Sequence, residues 1–221
     1  MEDFIKNTIP TNNFQIEDVY GDNACFYRAL ANIFNYYVKS DKLEDIKQLK
    51  MDKTCKELKH IINSSDWGFR SDKQDILAIY IQEQIYKWIS NNKSKYLKDY
   101  HMNISDIIQL THNLSIKDYL KIYKNFAGLK LDIPERWGGL IEQIVISELY
   151  QIPITIITSQ KFNKRSGRIN TGRITNNKAE KGVRFKILQN IGNKYKNKRP
   201  IYLLWKKHNK TGHYMALYPI I

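Results

Sequence analysis

The segment Ile152-Pro153-Ile154-Thr155-Ile156-Ile157-Thr158 constrains this fold more than any other stretch of the chain. It is β-branched and almost wholly apolar, a composition that suits a buried central strand and not a half-solvated helix. Three more strands are expected after it, at Arg184 to Leu188, Pro200 to Trp205 and His213 to Tyr218. Ahead of it the periodicity is helical. Phe26, Leu30, Ile33 and Tyr37 fall at i, i+4, i+7 and i+11, so a central helix is expected from about Cys25 to Tyr37. Further helical stretches are expected over 41–62, 72–91 and 104–126, with Ile76, Ile79, Tyr80, Ile85 and Trp88 as the apolar face of the second. Another helix opens around Trp137-Gly138-Gly139 and carries Ile144, Val145, Ser147 and Leu149. Helices first and strands last predict an α+β protein, a helical lobe packed against a small β-sheet, in a single domain over 1–221. Residues 1–21 read as irregular, the first 17 as an N-terminal arm, with Pro10, Asn12 and Asn13 marking turns. Residues 159–183 read as a basic surface loop or hairpin.

The formal net charge of +14 raises the question of a polyanionic partner. Between Ser159 and Gly212 the only acid is Glu180. Yet the chain is rich in Lys, Asn, Ile and Tyr, which A/T-rich codons supply without selection for a ligand. No zinc finger, RNP-like strand pair or GxxG clamp accompanies the charge. A solvated basic face is therefore expected, and nucleic acid is not the expected partner. No apolar run reaches the ~18 residues a membrane span needs, so no membrane association is expected. The start of the chain is acidic and lacks the apolar core of a secretory signal. Two cysteines make no disulfide framework, which fits a reducing, cytoplasmic compartment. Cys25 and Cys55 have no neighbours at metal-ligand spacing, so neither metal nor cofactor is expected.

Cys25 carries the chemical interest. In Asp22-Asn23-Ala24-Cys25-Phe26-Tyr27-Arg28 a polar turn runs straight into a helix. The thiol then sits at the first helical turn, where unpaired N–H groups and the macrodipole stabilise a negative sulfur. Near the other end, Gly212-His213-Tyr214-Met215-Ala216-Leu217-Tyr218 places a histidine at the start of an alternating segment. A cysteine early and a histidine late are what a cysteine hydrolase needs if the fold joins them. The backbone amides of Asp22, Asn23, Ala24 and Cys25 form the natural oxyanion hole, and the Asp22 side chain can order that turn. Each residue also has a structural alternative: a buried thiol packs as a small hydrophobe, a strand histidine packs or is solvated, and Asp22 caps the helix.

The order of the motifs decides between them. Asp-x-x-Cys, then Phe/Tyr-Arg-Ala-Leu on a helix, then Trp137-Gly138-Gly139, then His213-Tyr214 on the last strand, resembles the OTU (ovarian tumour) family of deubiquitinating cysteine proteases. The resemblance runs from about residue 18 to the end of the chain and implies a papain-like OTU fold. It implies Cys25 as nucleophile, His213 as general base, and Asp22 as the aspartate three residues before the nucleophile. It places Trp137 under the site and implies Trp137 or Tyr214 along a narrow substrate channel. The implied partner is ubiquitin, polyubiquitin or a ubiquitin-like modifier, cleaved through a thioester on Cys25, with no cofactor. The composition would suit a viral or bacterial effector in a host cytoplasm.

Two positions depart from the family pattern. Asn23 and Ala24 stand where Gly and Asn are usual, and Met215 stands where many members carry the Asp or Asn that orients the imidazole. Some members take that third residue from upstream of the nucleophile, which leaves Asn12, Asn13 and Asp18 as candidates. Cys55, His60, His101 and His112 read as structural, and His208 as a competitor to His213. The rival readings are a non-ubiquitin cysteine protease of the papain-like kind, and a catalytically impaired module that binds ubiquitin or nucleic acid.

Overall fold

The structure, a computed structural model, describes residues 1–39, 60, 72–124, 138–208 and 211–220. The helix expected over 41–62, apart from His60, lies outside these residues, as do Cys55 and Trp137.

The N-terminal residues do not form the irregular arm expected of them. They make α1 (Glu2–Lys6), β1 (Ile9–Pro10), a 3₁₀ turn (Thr11–Asn13) and β2 (Phe14–Glu17). The alternation of Phe14 and Ile16, both buried, with outward Gln15 is a strand pattern too short to register by periodicity alone. Pro10 fits because β1 is an edge strand, where a missing N–H costs no ladder bond.

The helical part follows: α2 (Cys25–Lys39), α3 (Asp72–Asn91), the small ladder β3 (Tyr96–Leu97) with β4 (Met102–Asn103), then α4 (Ile104–His112), α5 (Ile116–Lys124) and α6 (Leu140–Tyr150). The single helix expected over 104–126 is two. Asn113 turns left-handed (φ 55°) at the end of α4, and the Ser115 hydroxyl accepts the Asp118 N–H at 3.1 Å to start α5. Along α3 the buried face is Leu77, Ile81, Ile85 and Ile89, a strict i+4 stripe; of the expected Ile76, Ile79, Tyr80, Ile85 and Trp88, only Ile85 lies on it, while Tyr80 and Trp88 are partly buried against the core. Ile76 is 49% exposed. Burying each of the four contributes about 1.5–3 kcal/mol relative to leaving it in water.

The remaining strands are β5 (Ile154–Asn163), β6 (Arg168–Thr171), β7 (Ile174–Thr175), β8 (Lys178–Ala179), β9 (Val183–Ile191), β10 (Ile201–His208) and β11 (Thr211–Pro219). Seven strands among the described residues form a curled sheet of order β1-β9-β5-β10-β11-β2, with β6 paired to β5. Only β5 and β10 run parallel. β5 is central, as its composition demands, with Ile154 to Ile157 buried in succession. The basic excursion is two hairpins, β5–β6 and β7–β8.

The protein is thus mixed α and β, compatible with the α+β expectation. One sheet face meets the helices, where α2 is buried almost all round from Ala24 to Phe34. The other carries a smaller core of Phe14, Ile157, Phe185, Leu204, Met215 and Leu217, joined by Ile174 of β7. β11 serves both by alternation: Ala216 and Tyr218 face α2, Met215 and Leu217 the smaller core. No described helix is long and apolar enough to cross a membrane.

Candidate active site

The turn before α2 is built by Asp22. Its Oδ1 accepts the Ala24 N–H at 3.0 Å, and its carbonyl accepts the Cys25 N–H at 3.2 Å. Arg28, on the same helix, clamps the Asp22 carboxylate, with Nη2 to Oδ2 at 2.9 Å and Nε to both oxygens at 3.2 Å. The other arm of the guanidinium pairs with Asp75 of α3 and approaches Gln74 Oε1 at 3.4 Å. Burial alone would lower the Arg28 pKa, but the two carboxylates outweigh it and raise it. Asp22 therefore orders the turn, as expected, and does so from a brace anchored in α3. The Arg28 brace was not anticipated; an Asp and an Arg six positions apart across a helix start was the available signal.

Cys25 is a free, buried thiol. Its Sγ accepts the backbone N–H of Tyr214 at 3.4 Å, which sets β11 directly against the tip of α2. His213 turns Nε2 to Asp18 Oδ1 at 2.7 Å. With Nε2 held by Asp18, Nδ1 is the nitrogen left to serve the neighbouring thiol. Burial lowers the His213 pKa, but the bond to Asp18, the bond to Cys25 and both charges outweigh it, pushing it up to about 9. For Asp18, burial raises the pKa, while His213, the Val19 N–H and Lys206 lower it further, so the net shift is downward.

Among the three upstream candidates, the structure brings only Asp18 to the imidazole. The β2–β11 register explains why. Ile16 lies opposite Leu217 and Glu17 opposite Ala216, so the next step sets Asp18 beside Met215. A carboxylate from the neighbouring strand thus stands level with the position that Met215 leaves without a polar group. Met215 itself is buried in the smaller core. Asn12 and Asn13 sit at the far end of β2, where Phe14 pairs with Pro219 and the Asn13 carbonyl accepts the Ile220 N–H at 2.8 Å.

Two expectations need correction. The oxyanion turn does not offer all its amides: the Ala24 N–H is taken by the Asp22 carboxylate and the Cys25 N–H by the Asp22 carbonyl. Tyr214 does not line an open channel with its ring. That ring packs edge-on against Phe26 at 5.3 Å, and its hydroxyl accepts Gln143 Nε2 at 2.8 Å. Burial, with the Cys25 charge adding, raises the phenol pKa far above its usual value. What Tyr214 gives the site is its backbone N–H.

The glycine motifs serve close approach. Gly138 has φ +78°, and a Cβ there would lie 2.2–2.5 Å from Phe26, the residue next to Cys25. Gly139 opens α6, its N–H donating to Glu142 Oε2 at 2.7 Å, while Tyr119 donates to the other Glu142 oxygen. A Cβ on Gly212 would lie 1.9 Å from Trp205 Nε1. Gly138→Ala should therefore destabilise the fold by about 2–4 kcal/mol, from left-handed strain plus overpacking. The urea midpoint measures it, and an unshifted midpoint would show that Phe26 yields freely.

The other described histidines stand apart from this cluster. His60 is exposed, His101 adopts φ 52°, and His112 packs on the Tyr119 ring at 5.1 Å. His208 pairs through its backbone with Thr211. No group of three or more metal-ligating side chains occurs among the described residues. Neither protein-family models nor curated proteins match the chain.

Chemically, a buried sulfur beside an imidazole whose far nitrogen is held by a carboxylate can exist as a thiolate–imidazolium pair. Such a pair is a nucleophile with its proton donor in place.

Proposed function

We propose that this chain is an OTU-like cysteine hydrolase that cleaves isopeptide or peptide bonds after the C-terminal glycine of ubiquitin or a ubiquitin-like modifier. The observation that carries the reading is the line Asp18–His213–Cys25, assembled from the end of β2, the start of β11 and the tip of α2. The motif order resembling OTU proteases supports the ubiquitin class, and a papain-like arrangement of helices and sheet is part of the same proposal. The cytoplasm, of the source cell or of a host, is the proposed site of action.

The Cys25 sulfur attacks the glycine carbonyl, and a C–S bond forms as the carbonyl oxygen takes the negative charge. The turn Asp22–Cys25 is the proposed source of donors to that oxygen, and the Ala24 and Cys25 N–H groups would have to leave their Asp22 acceptors to serve it. Imidazolium Nδ1 gives its proton to the leaving amine as the C–N bond breaks, leaving a thioester. His213 then takes a proton from water, whose oxygen displaces the sulfur and frees the carboxylate. Asp18 holds Nε2–H throughout, fixing the ring and stabilising its charged form.

Ubiquitin carrying a C-terminal electrophile tests the proposal. The expected result is a single covalent adduct whose peptide map places the linkage on Cys25. If a small alkylating reagent labels Cys25 while the ubiquitin probe does not, the thiol is reactive but the ubiquitin assignment fails.

A further inference from the structure

The basic excursion between β5 and β9 takes no part in the chemistry above, yet its second hairpin reaches the site. β7 and β8 are joined by Asn176 and Asn177, with φ 48° and 61°. A two-residue turn with both residues left-handed is the connection that matches strand twist, and asparagine tolerates it. The turn sets the Asn177 side chain against the end of β2, where Oδ1 accepts the Asp18 N–H at 2.9 Å. β2 is an edge strand whose pairing stops at Glu17, so Asp18 lies beyond the ladder.

Asp18 needs such a hold. Its side chain is 47% exposed, so packing cannot fix it. Its Oδ1 already serves two donors, Val19 N–H at 2.9 Å and His213 Nε2 at 2.7 Å. The hairpin itself is firmly seated. Ile174 is buried in the smaller core, and its carbonyl accepts Lys206 Nζ at 3.4 Å. At the base, Gly172 donates to the Ser159 carbonyl at 3.0 Å, and Ser159 Oγ returns a bond to the Gly172 carbonyl at 2.8 Å. The Glu180 N–H closes onto the Arg173 carbonyl at 3.0 Å.

We infer that the β7–β8 hairpin is a strut of the reactive centre, in which Asn177 holds the Asp18 backbone and thereby positions the carboxylate that orients His213. The inference rests on the hydrolase reading above and assigns a role to the excursion that the reaction leaves unused. Asn177 touches no reacting atom; it is a positioning residue.

The experiment compares the full chain with Asn177→Gly and Asn177→Asp. Glycine keeps the left-handed turn but removes the acceptor, while aspartate keeps an acceptor oxygen. The readouts are kcat and KM on a fluorogenic ubiquitin C-terminal amide, across neutral to alkaline pH, together with the urea midpoint. The groups facing the imidazole are Asp18 and Cys25, with Lys206 beside Asp18, and none of these is altered. Asn177→Gly should lower kcat roughly ten- to a hundredfold, the scale seen when an outer hydrogen-bond partner is removed. KM should hold, the alkaline fall in rate should move to lower pH, and the urea midpoint should stay in place. Asn177→Asp should recover most of the rate. If Asn177→Gly matches wild type in kcat and pH profile, or loses rate only in proportion to lost folded protein, the strut is overturned. Wild type that neither turns over nor captures a probe at Cys25 overturns instead the reading beneath it.

Discussion

Asp18→Asn will lower kcat on a ubiquitin C-terminal amide by roughly a hundred- to ten-thousandfold, the range spanned by acid–base and triad-orienting groups. The substitution keeps an oxygen within reach of His213 Nε2 but removes the charge that favours imidazolium. Burial already pulls the His213 pKa down, and the carboxylate bond is the largest influence raising it. In wild type the pair should persist until the imidazolium loses its proton near pH 9, so activity should fall through that region. In the variant the fall should occur at lower pH. The same shift acts on stability. The folded pKa lies above the ordinary 6.5, so the His213 contribution is fully present below pH 6.5 and is lost as pH rises through about 9. Asp18→Asn should flatten that part of the stability curve. An alkaline limb that stays put would mean that Asp18 does not set the ionisation of His213.

Arg28→Met will cost about 3 kcal/mol of stability, the lower end of the range for breaking a buried ion pair. The guanidinium is buried and holds two carboxylates on different helical segments, Asp22 ahead of α2 and Asp75 on α3. Removing it leaves both acids without their cation. The cost stays at the lower end because Asp75 is 42% exposed and water replaces part of what it loses. Activity per folded molecule should fall as well, since the Asp22 turn that presents Cys25 loses its brace. Arg28→Lys should recover little, because a single ammonium cannot span two carboxylates as a planar fork does. Urea denaturation followed by active-site titration separates the two effects. A variant as stable as wild type would show that the clamp is solvated and idle.

Cys25 and His213 are legible because each lies in a local motif whose neighbours define its element. A turn running into a helix places the thiol, and a glycine before an alternating run places the imidazole. Asp18 could be narrowed only to three upstream candidates. Choosing among them requires the register of a four-residue strand against one at the other end of the chain, and no local periodicity encodes that. The pairing of Phe14 and Ile16 with β11 makes the choice. On α3, Tyr80 and Trp88 pack against the core only in part, as amphipathic rings do, while the aliphatic i+4 stripe is fully buried. On the oxyanion turn the sequence shows both the amides and the Asp22 side chain that can bond them; which amides Asp22 takes is decided by the fold of the turn. Within the excursion a surface loop or hairpin is expected from sequence, but the contact of Asn177 with Asp18 depends on tertiary placement.

Because β11 pairs with β2, the reactive centre joins residues separated by 195 positions between Asp18 and His213. A ribosome releases the Asp18 carboxylate 195 positions before the His213 imidazole. Over that interval the nascent chain carries the thiol without its imidazole. Under the proposed function, activity waits for β11 to dock on β2, and contacts so distant in sequence form slowly.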